Sequence, residues 1–251
     1  MKDVSPTGRF SDRADDYARF RPGYPSAAID AILEGLGDPA MLSAADVGAG
    51  TGISARLLAA RGVRVTAVEP NAPMREAAVP HPGLSWCDGT AERTGLASSS
   101  QDIVLAAQAF HWFRAEEALA EFARILRSGG RLVLMMNEGV EGDPATDAYY
   151  ALVRPFARAD AAVFANAGGP SAESLLRAGF DAPRQQVLPG GQTLDLSGLV
   201  GRARSASYVP REGPEWEAVA RGLAEIHARH ADPAGRVRIV YRTHVLIAKR
   251  G

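Results

Sequence analysis

Three glycines fall within five positions, Gly48, Gly50 and Gly52, in the stretch SAADVGAGTGISARLLAARG, where an apolar run stops and a helical pattern starts. Glycine permits the backbone angles of a sharp strand-to-helix turn and leaves main-chain amides open to a ligand. In open α/β sheets ligands bind beyond the carboxyl ends of the strands, which is where such a loop lies. A dinucleotide site spaces its glycines as G-x-G-x-x-G, the third allowing helix and strand to pack closely around a pyrophosphate. Counted from Gly48 and Gly50, that third position is Ile53; the spacing is instead G-x-G-x-G, preceded by an acid, Asp46. A carboxylate there repels a pyrophosphate and suits a cationic ligand group. A second acid, Glu69, ends the following strand 21 residues after Gly48, a position from which a carboxylate can accept both hydroxyls of a ribose. Loop, strand, acid and strand order together point to an adenosine ligand with an unmodified ribose. Ile53 in place of the third glycine argues against a nicotinamide dehydrogenase.

The elements that must position these residues are legible as an alternation of short apolar and helical segments from Ala44 onward, the pattern of a parallel sheet covered on both faces. AADV, VRVTAVEP, LSWCDG, SQDIVLAAQAF and RLVLMMN read as five strands. Between them, ISARLLAA places Ile53, Leu57 and Leu58 on one helical face, and NAPMREAA opens a helix capped by Asn71. RAEEALAEFARILRSGG is an amphipathic helix, expected to close at Gly129 and Gly130. Beyond Asn137, DPATDAYYALVRPFARAD and SAESLLRAGF are helices with no strand between them, expected as an insertion over the sheet. RVRIVYRTHVLIAKR supplies a last strand, with RQQVLPGGQTLDL as its hairpin partner or neighbour.

Composition narrows the partners. With 251 residues, 46% hydrophobic and 23% charged, the chain reads as an ordinary soluble globular domain. A net charge of −1 provides no long-range field for a polyanion, so neither nucleic acid nor a membrane surface is an expected partner. The single cysteine, Cys87, excludes an intrachain disulfide and a cysteine metal cage. The polar start MKDVSPTGRFSDRADDYARFRPGYP lacks the apolar core of a signal peptide, and no stretch reaches membrane-spanning length, so a cytoplasmic location is expected. His227 and His230 share a helix without a third ligand, and no metal site is expected. His244, within the last strand, reads as a structural residue.

DVGAGTG and VEP resemble the first two motifs of the class I S-adenosylmethionine-dependent methyltransferases. DGTAERTGLASSSQDIVLAAQAFHWF resembles their stretch from the adenine-binding loop to the end of strand four, and ALAEFARILRSGGRLVL the helix and strand that follow. FSDRADDYARFRPGYP and AFHWF are similar, more narrowly, to a small-molecule subgroup that includes trans-aconitate-type methyltransferases. The resemblance implies an α/β, Rossmann-like, doubly wound, seven-stranded and mostly parallel sheet with an antiparallel last strand. With it come an N-terminal helical lid over 1–40, a cofactor core over 41–137, an inserted substrate cap over 138–210, and a final helix and strand over 211–251, all one domain. It implies that Asp46, Gly48, Ala49, Gly50 and Gly52 surround the amino-acid end of S-adenosylmethionine, while Glu69 takes the ribose. Pro70 and Met74 would flank the adenine, Thr90 and Ala91 its edge, and Ala107 with Gln108 the sulfonium. The family often has Asp where this chain has Thr90; the hydroxyl can make the same bond, or Glu92 can replace it.

Methyl transfer needs an aligned nucleophile and a dry site more than a strong base. His111, following strand four, is the candidate base for a hydroxyl acceptor, with an ordinary pKa of about 6.5; a carboxylate acceptor needs none. Trp112 and Phe113 would wall the methyl site. Tyr17 and Arg21, one helical turn apart, would face inward from the lid and border the cofactor, Arg21 holding a carboxylate of cofactor or substrate. Tyr24 would be a third pocket residue from this segment, and Arg204, Ser205 or Tyr208 of GRARSASYVP would line the substrate cavity. The expected activity is methyl transfer to a small-molecule acceptor, carboxylate or hydroxyl oxygen. The alternative is a protein that keeps the cofactor for structure or for another reaction such as cyclisation.

Overall fold

Side chains along a strand covered on both faces alternate between two helical layers, so most positions are apolar and period two survives chiefly as a choice of neighbour. That is the arrangement in the computed structural model, which describes residues 10–158 and 169–251. β1 (Ser43–Val47), β2 (Arg64–Val68), β3 (Leu84–Cys87), β4 (Gln101–Ala107) and β5 (Leu126–Gly139) run parallel. β7 (Val237–Lys249) pairs antiparallel with both β5 and β6 (Arg184–Leu194), giving a seven-stranded sheet in the order β3-β2-β1-β4-β5-β7-β6. The expected sheet is therefore present, and its order reverses at β1, whose carboxyl end feeds the glycine loop.

Ala44, Ala67, Ile103, Leu105, Val133 and Met135 face Ile29 and Ile32 of α2 (Ser26–Leu33) and Ala55 and Leu58 of α3 (Ile53–Ala59). Their sequence neighbours Ala45, Val68, Val104 and Leu132 face Leu119, Phe122 and Ile125 of α5 (Ala115–Ile125) and Leu175 of α7 (Ala172–Arg177). Full burial of side chains such as Phe122 and Leu58 contributes roughly 1.5–3 kcal/mol each.

Three expectations are corrected here. α5 stops at Ile125, because Leu126 is already extended and pairs with Gln101. Gly129 and Gly130 then serve a bulge in β5: Gly129 has φ +76, and a side chain on Gly130 would meet the Arg127 carbonyl at 2.9 Å. α2, read as part of the lid, buries Ile29 and Ile32 in the core. The helices beyond Asn137 do not form one insertion over the sheet. α7 lies in the α5 layer, whereas α6 (Pro144–Arg158) joins α8 (Leu196–Ser205) and α9 (Gly213–His230) in a separate apolar cluster with Val237 and Ile239 of β7. The β6–β7 ribbon carries that cluster, its pairing running on to Leu194 and Val237 after β5 has ended opposite Tyr241.

α1 (Ala14–Phe20) is strapped onto α8. The Phe20 ring covers Gly201, Gln192 Nε2 donates to the Phe20 carbonyl at 2.9 Å, and Arg211 pairs with Asp16 at 3.3 Å. A methyl group at Gly201 would overlap the Phe20 ring. Gly201→Ala gains roughly 1 kcal/mol of helix propensity but forces overpacking that costs about 1–3 kcal/mol. We expect a lower urea midpoint for Gly201→Ala and partial recovery when Phe20→Leu is added; two independent, additive effects would contradict this docking.

Candidate active site

Gly48, Gly50 and Gly52 all have left-handed backbones, with φ of +69°, +57° and +73°. Their surroundings differ. A side chain on Gly48 would strike the Ala109 methyl at 2.7 Å, and one on Gly50 would crowd the Met74 methyl at 3.2 Å and the Tyr17 ring. Gly52, expected beside a ligand, instead faces the Trp86 ring at 3.2 Å and caps α3, so its bareness serves packing and the turn. Glu69 fixes the loop from the neighbouring strand: Gly50 N donates to Oε2 at 2.8 Å and Asn71 N to Oε1 at 2.9 Å. Burial raises the Glu69 pKa while these two amides oppose the rise.

Beyond the loop lies a cavity of about 350 Å³. Gly48, Gly50, Glu69, Pro70 and Met74 form one side; Thr90, Ala91 and Glu92 form another. Gln108, Ala109, Trp112 and Phe113 close it, and Phe10 and Tyr17 reach it from the N-terminal segment. The Glu92 carboxylate is already engaged, accepting from Arg114 N at 2.9 Å with the Arg114 guanidinium at 4.0 Å.

Asp46 does not line this cavity. Strand alternation turns it toward α3, where it is fully buried and Ser54 Oγ donates to Oδ2 at 2.6 Å. Its Oδ1 has no hydrogen-bond partner among the described residues. Burial pushes its pKa up to about 7, against the opposing pull of Ser54 and the Ala55 amide. Close by, Tyr17, Arg21, Tyr24, Ala49, Ser54, Ala107, Gln108 and Asn137 enclose a narrow crevice of about 10 Å³. Tyr24 belongs to this crevice, and burial raises its pKa well above the usual phenol value.

Gln108 stands where these spaces meet, and it is held in a left-handed conformation with φ +55. For a residue other than glycine this costs about 1–3 kcal/mol. Its main-chain N donates to the Met135 carbonyl at 2.8 Å and its Nε2 to the Asn137 carbonyl at 3.2 Å. Asn137 in turn donates from Nδ2 to the Gly23 carbonyl and accepts from Thr243 Oγ1 at 2.7 Å. The sequence reading ended a strand at Asn137 and missed this hub; its bonds join segments distant in sequence, which no local pattern reveals.

A second chamber, of about 260 Å³, shares Phe10, Tyr17, Gln108 and Trp112 with the first. His111, Arg21 and Tyr208 line it. Tyr149, Tyr150 and Arg154 of α6 and Arg202 of α8 line it too, unanticipated. Tyr149 had the spacing of a core face, and Arg202 lies two residues before the expected Arg204, on the opposite side of the helix. Arg204 and Ser205 point elsewhere: the Arg204 guanidinium lies 4.7 Å from the Trp216 ring centre, and Ser205 Oγ donates to the Arg202 carbonyl at 2.6 Å. Burial, followed by the charge of Arg21, lowers the His111 pKa to about 4. His227 contacts the Gly235 carbonyl at 2.9 Å, and His244 contacts Glu138 at 2.9 Å. Among the described residues no cluster of three metal-ligating side chains occurs, and no helix is long and apolar enough to cross a membrane.

A doubly wound, seven-stranded sheet with a bare loop after β1 and an acid ending β2 matches the Rossmann-like methyltransferase fold. Residues 45–134 match the family described as methyltransferase domain. The uncharacterized methyltransferase Rv3342 of Mycobacterium tuberculosis is 38% identical over 156 residues, 55% of this chain and 62% of that protein. The uncharacterized methyltransferase-like C25B8.10 of Schizosaccharomyces pombe is 33% identical over 130 residues, 51% of each. The chain thus spans less than two thirds of the length of these curated relatives. Among solved structures, a "putative type II methyltransferase" from Anaeromyxobacter dehalogenans is 25% identical with a TM-score of 0.66, covering 92% of this chain and 98% of its own. The chain is thus similar, over these stretches, to proteins described as methyltransferases.

Asp46 generates a stability prediction. Its carboxyl ionises near 3.8 when unfolded and near 7 when folded, so between those values the folded chain holds the extra proton and stability falls as pH rises. Asp46→Asn lacks that contribution. Urea unfolding of both proteins from acid to neutral pH should show the wild type losing stability relative to the variant up to about pH 7, then a constant difference. A difference that is constant throughout would refute the raised pKa.

Proposed function

We propose that this chain transfers a methyl group from S-adenosylmethionine to an oxygen, carboxylate or hydroxyl, of a small molecule. One observation carries the reading: a cavity floored by a bare loop and Glu69 adjoins a separate chamber across Gln108 and Trp112. The residues fit the cofactor. Gly50 lines the cavity, and the unpartnered, buried Asp46 Oδ1 stands behind Ser54 of the crevice, where a cationic ammonium group would suit it. Each Glu69 oxygen accepts one amide and keeps capacity for a ribose hydroxyl. Pro70 and Met74 would flank the adenine, and Thr90 and Ala91 its edge. Tyr17, Arg21, Ala49 and Ala107 would surround the methionine end. The narrower resemblance of the N-terminal segment to trans-aconitate-type methyltransferases supports an oxygen acceptor.

When bound, the cofactor supplies a methyl group on a positively charged sulfur. Gln108 and Trp112, common to both spaces, set the line along which the acceptor oxygen approaches. Phe10, Tyr17 and Trp112, packed edge to face at 5.7 Å and 6.1 Å, exclude water. This chain's own part is to align that oxygen through Gln108 and Trp112 and to keep the site dry. A hydroxyl acceptor releases its proton to a ring nitrogen of His111, which is neutral above about pH 4; a carboxylate acceptor releases none.

Transfer, turnover and binding measurements test this. Radiolabelled S-adenosylmethionine incubated with pooled carboxylic acids and phenols should yield labelled product; binding without transfer would favour a non-methylating protein. With a hydroxyl acceptor, His111→Ala should lower kcat about 10²-fold or more, and the wild-type rate should show no inflection near pH 6.5 from this residue. For the ribose, adenosine should bind the wild type at least about tenfold more tightly than 2′,3′-dideoxyadenosine, and Glu69→Ala should abolish that preference. Because the comparison is made within each protein, a general loosening of the loop does not mimic it.

A further inference from the structure

Arg202 is a buried guanidinium with no carboxylate beside it among the described residues. It is 6% exposed, and its hydrogen-bond partners are neutral: Nη1 donates to Gln192 Oε1 at 2.5 Å and Nη2 to the Tyr150 hydroxyl at 3.4 Å. The Tyr149 ring centre lies 5.3 Å from its guanidinium carbon. Arg131, equally buried, gives both Nη atoms to main-chain carbonyls at 2.6 Å each. Arg202 instead opens onto the second chamber. A desolvated charge of this kind is disfavoured until an opposite charge joins it.

The same chamber gathers more cationic character. Arg21 lies over the Tyr17 ring at 5.2 Å, and Arg154 over the Tyr150 ring at 5.1 Å. The acid nearest Arg154, Glu141 at 3.9 Å, is 85% exposed and lies outside the chamber. The described lining contains three arginines and no aspartate or glutamate. The phenols of Tyr149, Tyr150 and Tyr208 add hydrogen-bond donors, since burial holds Tyr149 and Tyr208 in the protonated form. Guanidinium forks and phenol donors complement carboxylate or phosphate oxygens and repel an amine. Arg202 and Arg154 border only this chamber, whereas Arg21 also borders the crevice assigned to the methionine end.

Resting on the methyl-transfer reading, we infer that the acceptor is a small organic anion, a carboxylate or a phosphate ester, whose charged group is held by Arg202 and Arg154 while its reacting atom faces Gln108 and His111. The chamber volume of about 260 Å³ limits it to a metabolite-sized molecule.

The test uses ligand-observed NMR on the full chain with S-adenosylhomocysteine present. One arm pairs aliphatic and aromatic carboxylates with their primary amides; the other pairs phosphate monoesters with their parent alcohols; a third contains amines. Members of one anionic arm should bind at least about 30-fold more tightly than their neutral partners, and which arm does so identifies the group. Arg202→Gln should remove that preference, Arg202→Lys should restore part of it, and affinity for S-adenosylhomocysteine should stay within about threefold in both, which also shows that they fold. Equal binding of neutral partners or amines, an unchanged preference in Arg202→Gln, or no binding by either anionic arm would overturn the inference. Anion binding that depends on Arg202 in a wild type that does not bind S-adenosylhomocysteine would instead sink the methyl-transfer reading and leave this site standing.

Discussion

One carboxylate holds the ligand-binding end of this sheet together. Glu69 leaves β2 and accepts from an amide of the loop after β1 and from the first amide beyond its own strand. The loop has three left-handed glycines and little intrinsic preference for one shape, so an anchor from the adjacent strand is what makes its geometry singular. The Val68 carbonyl adds to this anchor by accepting from Gly48 N and Ala49 N at 2.9 Å and 3.2 Å. The end of β2 thus shapes the turn of β1, and the cavity inherits its floor from a cross-strand contact rather than from the glycines alone.

The second constraint is dryness. Asp46, Glu69 and His111 are all displaced from their ordinary pKa values chiefly by burial, the acids upward and the imidazole downward. A site that keeps its acids reluctant to ionise and its histidine neutral suits a reaction in which the charge arrives with the reactants. The strained backbone at Gln108 fits the same logic. It is retained through its own amide, its side chain and the Asn137 hub behind it, at the point where the cavity and the second chamber meet.

Much of this was legible in the sequence, for local reasons. Gly48, Gly50 and Glu69 are read from strand ends whose positions follow from apolar runs, and the alternating segments gave the sheet. Pro70, Met74, Thr90 and Ala91 came through family resemblance and do gather around one cavity. The failures were tertiary. Gly52 answers to Trp86 from another strand. Gly129 and Gly130 signalled a helix end but serve a bulge, since pairing of Leu126 with Gln101 ended the helix first. Tyr150, Arg154 and Arg202 gave no signal because their meeting depends on how α6 and α8 are both mounted on α9 and the β6–β7 ribbon.

The β6–β7 ribbon, extending past β5, gives the chamber wall a foundation of its own. Tyr149, Tyr150, Arg154 and Arg202 are mounted on helices that cohere around Val237 and Ile239, while the cavity floor depends on the central strands. The buried residues of the two apolar clusters thus share β7 alone among the strands. The family match confined to residues 45–134 has the same division: a shared nucleus can stay fixed while its outboard helices drift, and selectivity can be rewritten without dismantling the engine beneath it.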